Sequence, residues 1–452
     1  MMRLRFAATA DRWRVFIGHS PLHRLGNDAL VAVVTSMFAK GFGFIKEVLI
    51  AALFGISGAL DIYLMAIVLV GFPVSILVNA FQTTLIRQLA TEQSAAARPG
   101  SLSTATILLT VASLAALLPL WLALLREFMP WLASGFSPEK QQETAAALSW
   151  LVPYYFLNGI NLLGYGVLQA RGRFLANGLL PSLTPIVTIV ILVATDPAGD
   201  WRFLTTALAA GTALECVVLV ATLYRCNQLA IPRWLDIRSA KASATAGLLL
   251  LPGTFMMAVG PVIEQAIAAS MSGGTNAALG YGLKLPAALQ GILLTAVGIT
   301  VLPFFASQLG QNRAAYCLHS LNMLGRWLLV GGVLLIIPLV AFSSEIVMLL
   351  YQRGAFDATA TGRVAPIQLA YFVQLPFAIV AMVGLKALAA LGREGVMSTY
   401  VSIGVVLQSV LAYGLGARFG AAGIAWAASV VSALLAAAYF FTARAAFRRL
   451  SQ

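Results

Sequence analysis

Four lysines stand inside stretches too apolar for a water-facing surface. Lys40 and Lys46 fall within residues 29–55, in the run Lys40-Gly-Phe-Gly-Phe-Ile-Lys46-Glu47. Lys284 lies in 277–307, two residues before Pro286, and Lys386 lies near the end of 364–391. A lysine held at the centre of a membrane span costs about 2.5–3.5 kcal/mol, so three deep ones cost on the order of 8–10 kcal/mol. Side chains carrying that cost are expected to face a cavity or a partner. The acids in comparable positions are Glu47, Glu215 and Glu264, with Asp61 at the edge of a stretch. Lys46 could pair with Glu47, Asp61 or Glu264, while Lys284 and Lys386 are close enough to span ends for snorkelling to compete. Glu215, beside Cys216, reads as a polar contact. The balance is cationic, which suits an anionic cargo such as a phosphate or pyrophosphate group. Lysine would serve there as a point charge, without the planar fork of arginine.

The elements that must hold these lysines follow from composition. The 452-residue chain is 60% hydrophobic and 10% charged, against roughly 45–50% and 25% in soluble domains. A soluble enzyme, a nucleic-acid-binding domain and a disordered chain are thereby excluded. The expected fold class is all-α, a polytopic membrane protein. Twelve segments are long and apolar enough to span: 29–55, 60–86, 102–125, 144–168, 175–195, 203–224, 243–271, 277–307, 316–342, 364–391, 396–416 and 420–442. The net charge of +13 matters through its placement. With the N-terminus inside, the cytoplasmic segments collect Arg3, Arg5, Arg12, Arg14 and Arg24, then Arg87 and Arg98, Arg171 and Arg173, then Arg225, Arg233, Arg238 and Lys241, then Arg313, Arg326 and Arg393, and finally Arg444, Arg448 and Arg449. The opposite side holds only Arg126, Lys140, Arg202, Arg353, Arg363 and Arg418. That bias predicts an even number of spans with both termini cytoplasmic. Cys216, Cys226 and Cys317 form no paired framework, and His19, His23 and His319 are scattered, so neither disulfides nor a metal site is expected.

An internal repeat organises the spans. Gly164, Leu168, Ala170, Gly172, Arg173 and Ser182 recur 220 positions later as Gly384, Leu388, Ala390, Gly392, Arg393 and Ser402. Ile45, Ala51, Gly55, Ala59 and Tyr63 recur 218 later as Ile263, Ala269, Gly273, Ala277 and Tyr281. Six spans per half make the two halves enter the membrane in the same direction, a parallel repeat about an axis along the membrane normal. The expected division is a cytoplasmic segment 1–28, a six-helix bundle 29–224, a basic linker 225–242, a second bundle 243–443 and a tail 444–452. Lys40 and Lys46 belong to one bundle and Lys284 to the other, so they are placed to converge between them. Glu264 occupies the repeat position of Lys46, and a Lys46–Glu264 pair is expected as a latch between bundles.

The stretch Met37-Phe-Ala-Lys40-Gly-Phe-Gly-Phe-Ile-Lys46-Glu47, with Ala51-Ala-Leu-Phe-Gly55 and Asp61, resembles the first two spans of the MurJ/MviN family of the multidrug/oligosaccharidyl-lipid/polysaccharide exporter superfamily. Tyr281-Gly-Leu-Lys284-Leu-Pro, continuing to Gly298-Ile-Thr-Val-Leu-Pro303, is similar to its eighth span, and Leu350-Tyr-Gln-Arg-Gly-Ala-Phe-Asp357 to the loop before its tenth. The resemblance covers residues 30–445. It implies a flippase that carries an undecaprenyl-pyrophosphate-linked glycan, lipid II or a related polysaccharide repeat unit, to the outer leaflet of the bacterial inner membrane. It places the family's cavity cations on Lys40, Lys46 and Lys284 and its first-loop acid on Asp61. The family pattern has arginine at those three positions, charged residues early in the second span where this chain reads Val74-Ser-Ile-Leu-Val-Asn79, and two further C-terminal spans.

The expectation is therefore transport by alternating access, with no catalytic residues and no cofactor. The substrate site is Lys40, Lys46 and Lys284, and the ion-pair candidates are Glu47, Asp61 and Glu264. The partners are the lipid-linked glycan and membrane lipids. No GxxxxGK[ST] loop is present, so nucleotide hydrolysis is not the expected energy source. The competing expectations are an exopolysaccharide flippase, a multidrug exporter of the same superfamily, which would need an acidic cavity, and a glycan polymerase or ligase, which would need an exposed catalytic loop.

Overall fold

A computed structural model describes residues 21–91, 100–195, 199–230 and 237–452. Expectations for residues 1–20, including Arg3, Arg5, Arg12 and Arg14, and for Arg233 in the linker lie outside the described residues. Every element among the described residues is helical: α1 (Pro21–Phe54), α2 (Gly58–Thr91), α3 (Ser101–Leu132), α4 (Pro138–Trp150), α5 (Val152–Ala170), α6 (Phe174–Leu179), a 3-10 turn at Leu180–Ser182, α7 (Leu183–Ala194) and α8 (Trp201–Arg225). The second half continues with α9 (Ile237–Leu248), α10 (Leu251–Ala269), α11 (Thr275–Gly310), α12 (Ala314–Ala341), α13 (Ser343–Tyr351), α14 (Ala358–Ala390), α15 (Glu394–Phe419) and α16 (Ala421–Leu450).

Each expected span coincides with helix, but three are broken, and each break has a proline. Pro153 has no N–H to return to the Ser149 carbonyl, so the helix stops at Leu151, whose own N–H caps Ala147, Leu148 and Ser149. Pro181 sits in the 3-10 turn that separates α6 from α7. Pro252 opens α10, and the chain bends by 62° between α9 and α10. Among the described residues, nine helices are long and apolar enough to cross a membrane, and the bent pair makes up to ten. The helices filling the first and fourth expected spans, α1 and α5, fall outside that set. The connectors are also more ordered than expected: 343–363 contains α13 and the first turn of α14, and Lys140 and Arg363 lie in α4 and α14 rather than in loops. The last helix runs on to Leu450.

Side chains from the middle of the helices make the core. In the first half α2 is central, burying Leu69, Val78 and Leu85 against α5, α4, α3 and α10. In the second half α14 is central, packing on α16, α11, α12 and α13. Large apolar residues such as Trp131, Leu249 and Leu349 stand fully outward, which suits an exterior solvated by lipid.

Two loops that the repeat aligns share a local geometry. At Gly172 and Gly392 the backbone takes φ of 68° and 67°, a left-handed turn that glycine adopts without a Cβ penalty. In both loops the glycine and the following arginine donate backwards in the same pattern, Arg173 to Leu168 and Arg393 to Leu388. Gly164 and Gly384 both mark close approach to the last helix of their own half. A Cβ on Gly164 would lie 2.7 Å from the Leu219 side chain, and one on Gly384 would lie 2.9 Å from the Phe440 backbone nitrogen. Backbone cannot step aside as a leucine side chain can. Gly384→Ala should therefore destabilise the protein by about 1–3 kcal/mol. Gly414→Ala, where a Cβ meets nothing within 4 Å, should be neutral or stabilising; thermal unfolding of the purified variants in detergent checks the difference.

Candidate functional site

The expected lysines do converge, and the register of two antiparallel helices brings them together. The α1 helix rises toward Phe54, while α11 descends from Thr275. Lys46 lies eight residues before the end of α1, and Lys284 nine residues after the start of α11. At 1.5 Å per residue these are matching depths of about 12–14 Å. Between them stands Glu47. Its Oε1 is 3.0 Å from Lys46 Nζ and 3.2 Å from Lys284 Nζ, so one carboxylate oxygen accepts from a lysine of each half. The side chains of Lys46 and Glu47 are largely enclosed, and that of Lys284 is 36% exposed. Snorkelling of Lys284 to a membrane surface is thus replaced by an ion pair across the halves.

Lys40 lies six residues before Lys46 on α1, and its partner surface lies a matching distance down α11, at Gly291. Gly291 stands beside it: a Cβ there would come within 2.6 Å of Lys40 Nζ. Glycine is what allows the ammonium group to lie against α11. Lys40 is exposed, and no carboxylate among the described residues pairs with it. Three ammonium groups against one carboxylate leave a formal charge of +2. Lys386 belongs elsewhere; its stem packs beside Gly298, near the far end of α11.

The end of the molecule nearest Glu47 is shut by contacts between the halves. Asp61, 1% exposed, lies in the first turn of α2 and caps α11. Gly274 begins that helix with φ of 82° and has no side chain to cap it. Asp61 supplies the missing acceptor, taking the N–H groups of Gly274 at 2.7 Å and Ala277 at 2.9 Å. Its charge also complements the positive end of the helix dipole. The other demand on Asp61 comes from Lys140, 2.7 Å away and seated 3.9 Å over the Phe136 ring. Beside this cap, Tyr281, Tyr351 and Phe356 form a buried ring cluster. Tyr281 donates to the Gly55 carbonyl, and the Ala355 N–H donates to Ala52 of α1.

Two expectations change. The Lys46–Glu264 pair does not form: Lys46 is committed to its neighbour Glu47, and Glu264, on α10, accepts from Gln408 of α15. A shared position in a repeat need not mean a shared location between the halves. Lys140, expected as an outer-loop charge, is instead a half-buried partner of buried Asp61. It stands 79 positions from Asp61, and no local pattern announces the contact.

Asp61→Asn should leave Lys140 without its anion and weaken the cap, costing about 1–3 kcal/mol. Lys140→Met should cost less, because Asp61 keeps two backbone donors. Denaturation midpoints of the two variants test that order.

The family model for MurJ, described as lipid II flippase MurJ, matches residues 50–450. A probable lipid II flippase MurJ of Synechocystis sp. is 28% identical over 438 residues, covering 89% of this chain and 78% of the relative. Another from Rhizobium tropici is 27% identical over 331 residues, covering 69% of this chain and 60% of the relative. Among solved structures, a lipid II flippase MurJ in an inward closed conformation superposes with a TM-score of 0.77 at 18% identity, covering 93% of this chain and 90% of that one. An inward-facing MATE multidrug transporter gives 0.70 at 14% identity, covering 94% and 99%. At those identities the superpositions speak for the fold alone.

Proposed function

This chain belongs to the lipid II flippase MurJ family, and we propose that it moves lipid II, an undecaprenyl-pyrophosphate-linked glycan, across the bacterial inner membrane. The single observation that carries the reading is the convergence of Lys46 and Lys284, from opposite halves, on one carboxylate in a group with formal charge +2. A pyrophosphate brings more negative charge than Glu47 and can engage Lys40, Lys46 and Lys284 together. Low polarity around the group strengthens that attraction relative to water.

The two halves act as lobes, residues 29–224 and 243–443, each of six spans, with both termini cytoplasmic. On that orientation the shut end, with Asp61, Gly274 and the aromatic cluster, faces outward. Cargo enters from the cytoplasmic leaflet and meets exposed Lys40 first, then Lys46 and Lys284. As the phosphate oxygens take over Lys284, its tie to Glu47 loosens, and one of the contacts holding the lobes together is exchanged for a contact to cargo. The chain itself makes and breaks no covalent bond in this scheme; it acts as a transporter. Two lobes that rock about a central site supply alternating access. A multidrug exporter of cations would need the opposite sign of charge at this point.

Lys284→Ala should cut exposure of lipid II at the outer leaflet at least ten-fold while the protein still inserts, and Lys284→Arg should retain most activity. Measuring outer-leaflet lipid II in cells depleted of their own flippase and expressing each variant decides it. Full activity of Lys284→Ala would remove the assignment. Restoration of an exopolysaccharide but not of lipid II exposure would move the cargo to another lipid-linked glycan. Glu47→Gln should preserve cargo binding and release the tie between lobes, read as faster cysteine labelling along α11 at Leu283.

A further inference from the structure

The outward face of the second half carries one arginine at the edge of an apolar run. Arg326 is the thirteenth of the 28 residues of α12 and is exposed. The next charged residue along the chain is Glu345, nineteen positions on. At 1.5 Å per residue that is about 28 Å, close to the hydrocarbon thickness of roughly 30 Å. This spacing sets Arg326 at one membrane interface. Trp327 beside it, 68% exposed, is the kind of aromatic residue common at that level. Among the described residues no carboxylate pairs with Arg326.

A groove of about 430 Å3 starts at this arginine and lies between α12, α14 and α16. Asn322 and Arg326, one turn apart, are its polar residues, and the rest of its lining is apolar, including Leu329, Phe377 and Ala437. Two glycines of α12 frame it. A Cβ on Gly325 would collide with the Phe440 ring of α16, and one on Gly332 would lie 3.0 Å from Pro376 Cα of α14. The helices thus touch at two points about two turns apart, and a slot is left between them. Snorkelling explains an arginine at this depth, but not the slot that opens beside it. Ordinary annular lipid fills a slot, but does not require a cation at its mouth.

We propose that this groove binds an anionic phospholipid, its phosphate on Arg326 and Asn322 and one acyl chain between α12, α14 and α16. The guanidinium offers a phosphate two parallel N–H donors. On the orientation proposed above, the site faces the cytoplasmic leaflet, where anionic headgroups collect. No lining residue belongs to α1 or α11, so the site is separate from the cargo lysines. A chain seated in the slot would brace α12 against α14 and α16.

The test uses the full chain in detergent, supplied with phosphatidylglycerol or phosphatidylcholine of the same acyl chains. Native mass spectrometry counts retained lipid, and thermal unfolding is read alongside. Wild type should retain phosphatidylglycerol at least five-fold over phosphatidylcholine and melt higher with it. Arg326→Ala should remove the preference and Arg326→Lys should keep most of it. Arg313→Ala, just before the same helix and outside the groove, and Lys284→Ala, at the proposed cargo site, should leave it unchanged. Ala437→Trp fills the slot without touching the cation. It should also lower retention, and it keeps the test decisive if Arg326→Ala does not fold. Soluble glycerol phosphate should not displace the lipid. Equal retention of the two lipids by wild type, or a preference that survives both Arg326→Ala and Ala437→Trp, overturns the proposal. Loss of the preference in Lys284→Ala would place the lipid at the cargo site, and displacement by glycerol phosphate would leave an anion site without a chain. A dimer that forms only with Arg326 intact and without lipid would give the groove to a second copy. Each of these three results equally overturns it.

Discussion

Glu47 sets the terms for the rest of the molecule. It neutralises one of three ammonium groups that would otherwise repel each other in a poorly polar interior, and it does so with a lysine from each half. Like charges at this separation are costly where water is scarce, so the arrangement needs a shared anion at rest. It also needs a second anion to be welcome, because the net charge stays positive. Holding the halves together, and the attraction for a phosphate-bearing cargo proposed above, both draw on that imbalance.

That contact depends on where α11 begins. The helix has no cap of its own, since Gly274 contributes only a left-handed turn. Asp61, 213 positions earlier, closes the helix end and thereby fixes how far down the helix Lys284 falls. The aromatic cluster of Tyr281, Tyr351 and Phe356 fills the seam beside the cap, and Gly55 and Gly354 let the backbones of α1 and the α13–α14 connection touch there. On Gly354 a Cβ would lie 2.3 Å from the Ala52 carbonyl oxygen. Closure at one end and a charged group just behind it form one construction, with α1 and α11 as its two rails.

Within each half the forces differ. Helices in lipid gain little from burying apolar surface against one another, so small residues and hydrogen bonds carry more of the association. Gly164, Gly211 and Gly384 allow close approach, and Trp121, Gln82 and Ser429 each donate to a backbone carbonyl of a neighbouring helix. The broken helices add free backbone donors, and at Pro181 such a donor has found Glu215.

Much of this was written in the chain itself. Apolar runs of about twenty residues can only be helices in a bilayer, because each must satisfy its own backbone hydrogen bonds. The all-helical class therefore followed from composition and spacing, as did the positions of the helices and the choice of Lys40, Lys46 and Lys284 as candidate cargo residues. The Gly172–Arg173 and Gly392–Arg393 turns were legible because a left-handed turn favours glycine. The pairing of charges was not legible. Lys46 had three acids within plausible reach, and only the packing of α1 against α11 selected Glu47, sent Glu264 to Gln408 and gave Asp61 to Lys140 and a distant helix end. A local pattern constrains the backbone that carries it. Which side chains meet across two hundred residues is decided by how whole helices pack, and that is a property of the tertiary structure alone.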